Sequence, residues 1–136
     1  MASQLEQICQ NLLENVDDAL GAAVVDLSSG MLLAVAHSVP YFTQSYLDAV
    51  AAAAVDMFRG KTISTVETML SNQRGKDSSH SIREVQMTTA KTYHFMTILP
   101  EKNHILLVLI TGTKANLASG WVATRKAVKD ITPIAP

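Results

Sequence analysis

The run Ile105-Leu106-Leu107-Val108-Leu109-Ile110 constrains this chain more than any other feature. Six consecutive apolar residues, set off from what precedes by the turn Pro100-Glu101-Lys102-Asn103, read as a strand buried on both faces. Such a strand lies in the middle of a sheet, and helices must then cover the sheet on both sides. A chain of 136 residues has room for one core of this kind, hence for one domain.

The rest of the sequence supplies the helices and the other strands. Leu5, Ile8, Cys9, Leu12, Leu13 and Val16 recur at three- and four-residue intervals, the stripe of an amphipathic helix. Ser3 and Glu6 have the spacing of a capping box, and Gly21 is the expected end of the helix. Two apolar runs, residues 22–26 and 31–36, flank Ser28-Ser29-Gly30 and read as a β-hairpin that Pro40 closes off. A second helix is expected over residues 43–58, with Thr43 as its N-cap and Gly60 just past its end. Leu47, Val50, Ala51, Ala54 and Phe58 form one apolar stripe on it, and Tyr46, Ala49, Ala53 and Met57 form another. A helix apolar on two sides is covered twice, and the alanines at 51–54 allow another backbone to approach.

Ile63, Val66, Met69 and Leu70 fit a short amphipathic helix, with Ser64 and Glu67 repeating the capping-box spacing. Residues 71–79 are polar and read as a mobile loop. Residues 82–88 mix Arg83, Glu84 and Gln86 with Ile82, Val85 and Met87, a polarity suited to a sheet edge. Residues 93–99 place Tyr93, Phe95 and Leu99 on one face and Met96 and Ile98 on the other. Leu117, Trp121, Thr124 and Val128 define the inward face of a last helix, with Lys126 and Lys129 near its negative end. Pro133 stops this helix, and residues 134–136 are expected to fray. The order is helix, two strands, helix, irregular insert, three strands, helix. It predicts an α/β (α+β) domain over residues 3–131, with a short tail at 132–136.

With 48% hydrophobic and 17% charged residues the chain is not intrinsically disordered, and a net charge of -1 without any Lys/Arg run argues against nucleic acid as a partner. The single cysteine cannot close an internal disulfide, the start Met1-Ala2-Ser3-Gln4-Leu5-Glu6 is polar and acidic, and no apolar stretch nears the roughly 20 residues of a membrane span. A cytoplasmic protein without membrane insertion is expected.

A search for chemistry yields little. His37, His80, His94 and His104 lack metal-ligand spacing and read as scattered surface or capping residues. Cys9 belongs to an inward stripe, and Asp17-Asp18 reads as a solvated pair at a helix end. Gly112-Thr113-Lys114 lacks the earlier glycine of a phosphate cradle. Arg59, Arg74, Arg83 and Arg125 are arginine-finger candidates by residue type, with Arg74 the freest to reach outward, yet read better as solvated or edge-pairing charges. No catalytic, cofactor-binding or metal-binding residue is assigned, and the chain is not expected to be an enzyme.

The segment Val24-Val25-Asp26-Leu27-Ser28-Ser29-Gly30-Met31-Leu32-Leu33-Ala34, the Ala-rich helix over 47–58 and the strand pair 93–99 and 105–110 resemble the roadblock/dynein-light-chain family, bacterial small-GTPase-regulator members included. The likeness spans roughly residues 5–130, and the insert at 61–79 departs from the compact form of the family. It implies an α-β-β-α-β-β-β-α fold with a five-stranded, mainly antiparallel sheet. It also implies a homodimer that pairs through the second helix and the following edge strand into a ten-stranded sheet. On this chain that surface is Tyr46, Ala49, Ala53, Met57, Ile82, Arg83, Glu84, Val85, Gln86 and Met87. The implied role is a dimeric module that binds or regulates a small Ras-like GTPase. The alternatives are a structural subunit of an assembly and a sensor holding a small molecule between sheet and helices.

Overall fold

A computed structural model describes residues 3–136; Met1 and Ala2, part of the polar start, lie outside the described residues. The central strand is where the apolar run places it. β5 (Ile105–Gly112) pairs antiparallel with β1 (Ala19–Asp26) on one side and β4 (Thr92–Ile98) on the other. β2 (Met31–His37) and β3 (Glu84–Thr88) complete the order β2-β1-β5-β4-β3, antiparallel throughout. The alternation of β5 divides the interior in two. Ile105, Leu107 and Leu109 face one core and Leu106, Val108 and Ile110 the other.

α1 (Gln4–Asn15) and α4 (Leu117–Ile131) cover the first core with Cys9, Leu12, Ala127, Val128 and Ile131. α2 (Gln44–Arg59) covers the second with Leu47, Ala51, Ala54 and Phe58, the first of its two expected stripes apart from the half-buried Val50. The expected caps are in place: the Ser3 side chain accepts from the Glu6 amide at 3.1 Å, and that of Thr43 from the Tyr46 amide at 3.2 Å. The hairpin turn needs Gly30, which sits at φ 75°.

The structure departs from the sequence reading at five places. α1 ends at Asn15, not at Gly21, because Asp18 takes a left-handed conformation (φ 60°) and turns the chain into β1, where Gly21 is a buried strand residue. Asp18 is exposed, yet it is also bonded to the far end of the sheet. Its carbonyl accepts from Gly112 at 2.9 Å and its carboxylate from the Lys114 amide at 3.0 Å, bracing the β5–α4 turn. The insert is a full helix, α3 (Lys61–Arg74), which runs on from α2 across Gly60 and extends the fold to α-β-β-α-α-β-β-β-α. Its apolar stripe does not pack inward, since Val66 and Met69 are exposed, and Arg74 is its last residue rather than part of a loop. The chain end is anchored: Ala135 is buried, its amide returns to the Ile131 carbonyl at 2.9 Å, and Lys102 Nζ donates to its carbonyl.

α4 approaches β4 closely at Gly120, where a Cβ would collide with the fully buried Phe95 ring. That ring is wedged edge-on against Trp121, with centroids 5.3 Å apart, so it cannot swing away. Gly120→Val is therefore expected to destabilise the fold by about 1–3 kcal/mol. The check is a lower urea midpoint at unchanged slope; an unchanged midpoint would show that α4 can lift off at no cost.

Candidate functional site

Strands spaced about 4.8 Å apart make five of them a surface roughly 20 Å wide, whereas a helix with its side chains is about 10 Å across. α1 and α4 together suffice for one face of the sheet. On the other face, among the described residues, α2 is the one helix whose side chains enter the core, and α3 packs against α2. Over β1, β2 and β5 the fit of α2 is tight, leaving about 20 Å³ between them, room for roughly one water. Toward β4 and β3 the same face opens into a groove of about 380 Å³.

Tyr46, Val50, Ala53, Ala54 and Met57 of α2 form one wall of the groove. Met96, His94 and Val108 line it from β4 and β5, and Met87, Thr89 and Thr92 from β3 and the turn beyond it. The lining contains no Asp, Glu, Lys or Arg. Tyr46 is held in place by stacking on Phe42, with ring centroids 4.8 Å apart. His94 is buried beside Met96 and accepts or donates one hydrogen bond, to Thr92 Oγ1 at 3.0 Å. Burial without a counter-charge pushes its pKa below the ordinary histidine range.

The ten residues expected to form a pairing surface fall into separate groups. Tyr46, Ala53, Met57 and Met87 line the groove, and Ala49 is exposed one turn from Ala53. Val85 and Ile82 are half-buried against the core beneath α2. Glu84 and Gln86 are not part of this face, because successive strand residues point to opposite sides. Gln86 Oε1 accepts from the Trp121 indole at 2.8 Å, and Glu84 takes a two-pronged bond from Arg125 at 2.8 and 3.0 Å. Arg125 lies 4.9 Å over the Trp121 ring. Its bond and charge hold the Glu84 carboxyl below the usual carboxylate range. These contacts fasten β3 to α4. Ile82, Arg83 and Glu84 also border a second depression of about 410 Å³, at the end of the strand.

β3 is fixed on its other flank by Glu67. This side chain, 4% exposed, accepts from the Ser81 amide at 2.6 Å and the Ser81 hydroxyl at 2.9 Å. The sequence spacing with Ser64 suggested a helix cap, but both residues lie inside α3 and the true partner is fourteen residues further on. Among the described residues β3 pairs only with β4, so the backbone groups of its outer edge meet no other strand there.

The remaining candidates are structural. Cys9 is fully buried and its thiol is pushed up to about 12, chiefly by burial. His37 Nδ1 accepts from the Val39 amide at 3.2 Å, and His80 is in a left-handed turn. Arg59 donates to the carbonyls of Phe58 and Asn103 at 3.0 and 2.7 Å. The Lys114 amide, which a phosphate at Gly112-Thr113-Lys114 would need, is occupied by Asp18.

No family model matches the chain, and no curated protein matches it by sequence. Solved structures match it in shape over almost its whole length. A Roadblock/LC7 domain from Streptomyces avermitilis superposes at TM-score 0.71 with 20% identity, covering 96% of this chain and 97% of that one. MglB of Myxococcus xanthus gives TM-score 0.72 at 18% identity, covering 97% and 94%. An MglB described in a tetrameric arrangement gives TM-score 0.71 at 17% identity, covering 99% and 93%. The chain therefore has the roadblock/LC7 fold, an antiparallel five-stranded sheet with helices on both faces. Within that fold it is similar to the MglB proteins as well as to the Streptomyces domain.

The Glu67 contact makes a testable demand. Burial alone would raise its pKa, but the bonds from Ser81 and the His80 amide outweigh that and hold the carboxyl below the usual range. Its stabilisation is thus present above the ordinary carboxylate pKa and is lost as pH falls through the lowered folded value. Glu67→Gln is expected to cost about 1.5–3 kcal/mol at neutral pH and to speed hydrogen exchange at Ser81. Unchanged exchange there would show that β3 does not depend on α3.

Proposed function

We propose that the chain works as a homodimeric, non-catalytic interaction module in the cytoplasm, pairing through α2 and β3, and that it binds or regulates a small Ras-like GTPase. The observation that carries the dimer is the uncharged groove beside α2, which adjoins the unpaired edge of β3. A second copy fits both features through one two-fold axis. Its β3 would continue the sheet to ten strands, and its α2 would lay Tyr46, Ala49, Ala53 and Met57 toward the half-covered face. A free edge strand is an aggregation hazard unless something pairs with it or covers it. The exposed Ala52 and Ala53 keep the outer side of α2 slim, so a second helix can come close.

The GTPase reading rests on the roadblock resemblance and is supported by the likeness to MglB proteins. The MglB described in a tetrameric arrangement supports self-association within this fold. The sensor alternative would have to use this same groove, because the space beneath α2 over β1, β2 and β5 is about 20 Å³.

Ala53 is exposed, so Ala53→Glu should leave the single chain folded while placing a carboxylate in the apolar seam. Sedimentation velocity at micromolar concentration is expected to show a dimer for the natural sequence and a dissociation constant raised roughly a hundredfold for the variant. A natural chain that sediments as a monomer would overturn the pairing. Pull-down of small GTPases loaded with GDP or GTP is expected to show binding that depends on the nucleotide. Failure to bind in either state would leave an assembly subunit as the better reading.

A further inference from the structure

We propose that His94 makes the α2–β3 surface acid-sensitive: the neutral imidazole lets the groove accept the second copy, and the imidazolium expels it. The inference rests on the dimer reading above and deepens it into a form of regulation.

His94 shares a strand face with Met96 and Ile98, lies opposite Met87 on β3, and is 8% exposed even in a single chain. From α2 it is faced by the groove wall of Tyr46, Ala53 and Met57, from β3 by Met87, from β5 by Val108, and from the turn by Thr89 and Thr92. Tyr46 is the only other titratable side chain in that lining, and no carboxylate is present to balance a positive charge. The second copy's stripe brings Tyr46, Ala49, Ala53 and Met57, again without charge. Asp56 and Asp48 of α2 are exposed and outside the lining, and Lys91, in the β3–β4 turn, carries the same sign as an imidazolium.

The hydrogen bonding of the ring calls for no charge. Nε2 has one partner, Thr92 Oγ1 at 3.0 Å, and that hydroxyl is 2.6 Å from Thr89 Oγ1. A neutral ring satisfies this contact in either tautomer, because a hydroxyl both donates and accepts. Protonation places an unpaired charge among three methionines. Closing the groove with a second apolar helix removes the remaining water and raises that cost.

The direction follows from linkage. A histidine whose charged form is disfavoured by association binds fewer protons in the dimer than in the separate chains. Dimer strength is therefore held at high pH and falls as pH drops through the value His94 has in the separate chain, which burial already sets below the ordinary histidine range.

The test is the dissociation constant of the full chain by sedimentation at about pH 8 and about pH 5, for the natural sequence and for His94→Gln, which keeps a hydrogen-bond partner for Thr92 but cannot charge. The natural chain is expected to dimerise roughly tenfold or more weakly at the lower pH, and the variant to show little change. A dimer of equal strength at both values, or a variant with the same pH response as the natural chain, overturns this proposal and leaves the dimer standing. A chain that is monomeric at both values overturns the dimer and this proposal together. Should His94→Gln fail to fold, the imidazole signal of His94 in the natural protein replaces it. Its midpoint is expected to move lower as protein concentration rises, and a midpoint independent of concentration would overturn the proposal.

Discussion

The architecture follows from a mismatch of widths around β5. A strand apolar on both faces must be covered twice, and five strands need about two helices per face. Among the described residues, α1 and α4 supply the helical core on one face and α2 supplies it on the other. Every feature of the candidate surface derives from that imbalance. The groove is the uncovered part of the sheet, its wall is the outer stripe of α2, and its far side is the edge strand β3, whose outer side no strand among the described residues pairs with.

An edge strand offered to a partner must also be held in place, and β3 is short, at five residues. Alternation divides the work between its two faces. Glu84 and Gln86 fasten it to Arg125 and Trp121 of α4, while Val85 and Met87 turn toward α2 and the groove. Glu67 secures the loop that leads into it. The ion pair of Glu84 and Arg125 is open to solvent, so its role is orientation more than stability.

Local chemistry made much of this fold legible in the sequence. Ser3 and Thr43 mark helix starts because a cap needs only the next few residues, and the apolar run of β5 carries its own burial signal. The features that stayed hidden depend on partners distant in sequence. Gly21 looked like a helix end, but Asp18 ends the approach to β1 by bonding a turn some 96 residues away. Glu67 looked like a capping residue, yet it serves Ser81. The stripe on α3 has helical spacing without an inward face, which periodicity alone does not reveal. Of the expected pairing surface, Tyr46, Ala53, Met57 and Met87 line one groove, while alternation along β3 turns Glu84 and Gln86 to the opposite side, toward α4. The same alternation, applied to Met96 and Ile98, would have put His94 inside rather than among surface histidines.

The central claim is that a second copy covers this one face of the sheet and no other. Hydrogen exchange of the full chain as a function of protein concentration tests it most directly, because the two free edges, β2 and β3, then act as controls for each other. The account predicts that raising the concentration slows exchange at the β3 amides that β4 does not engage, with β2 unaffected. Protection gained at β2 instead, or at neither edge, would contradict it.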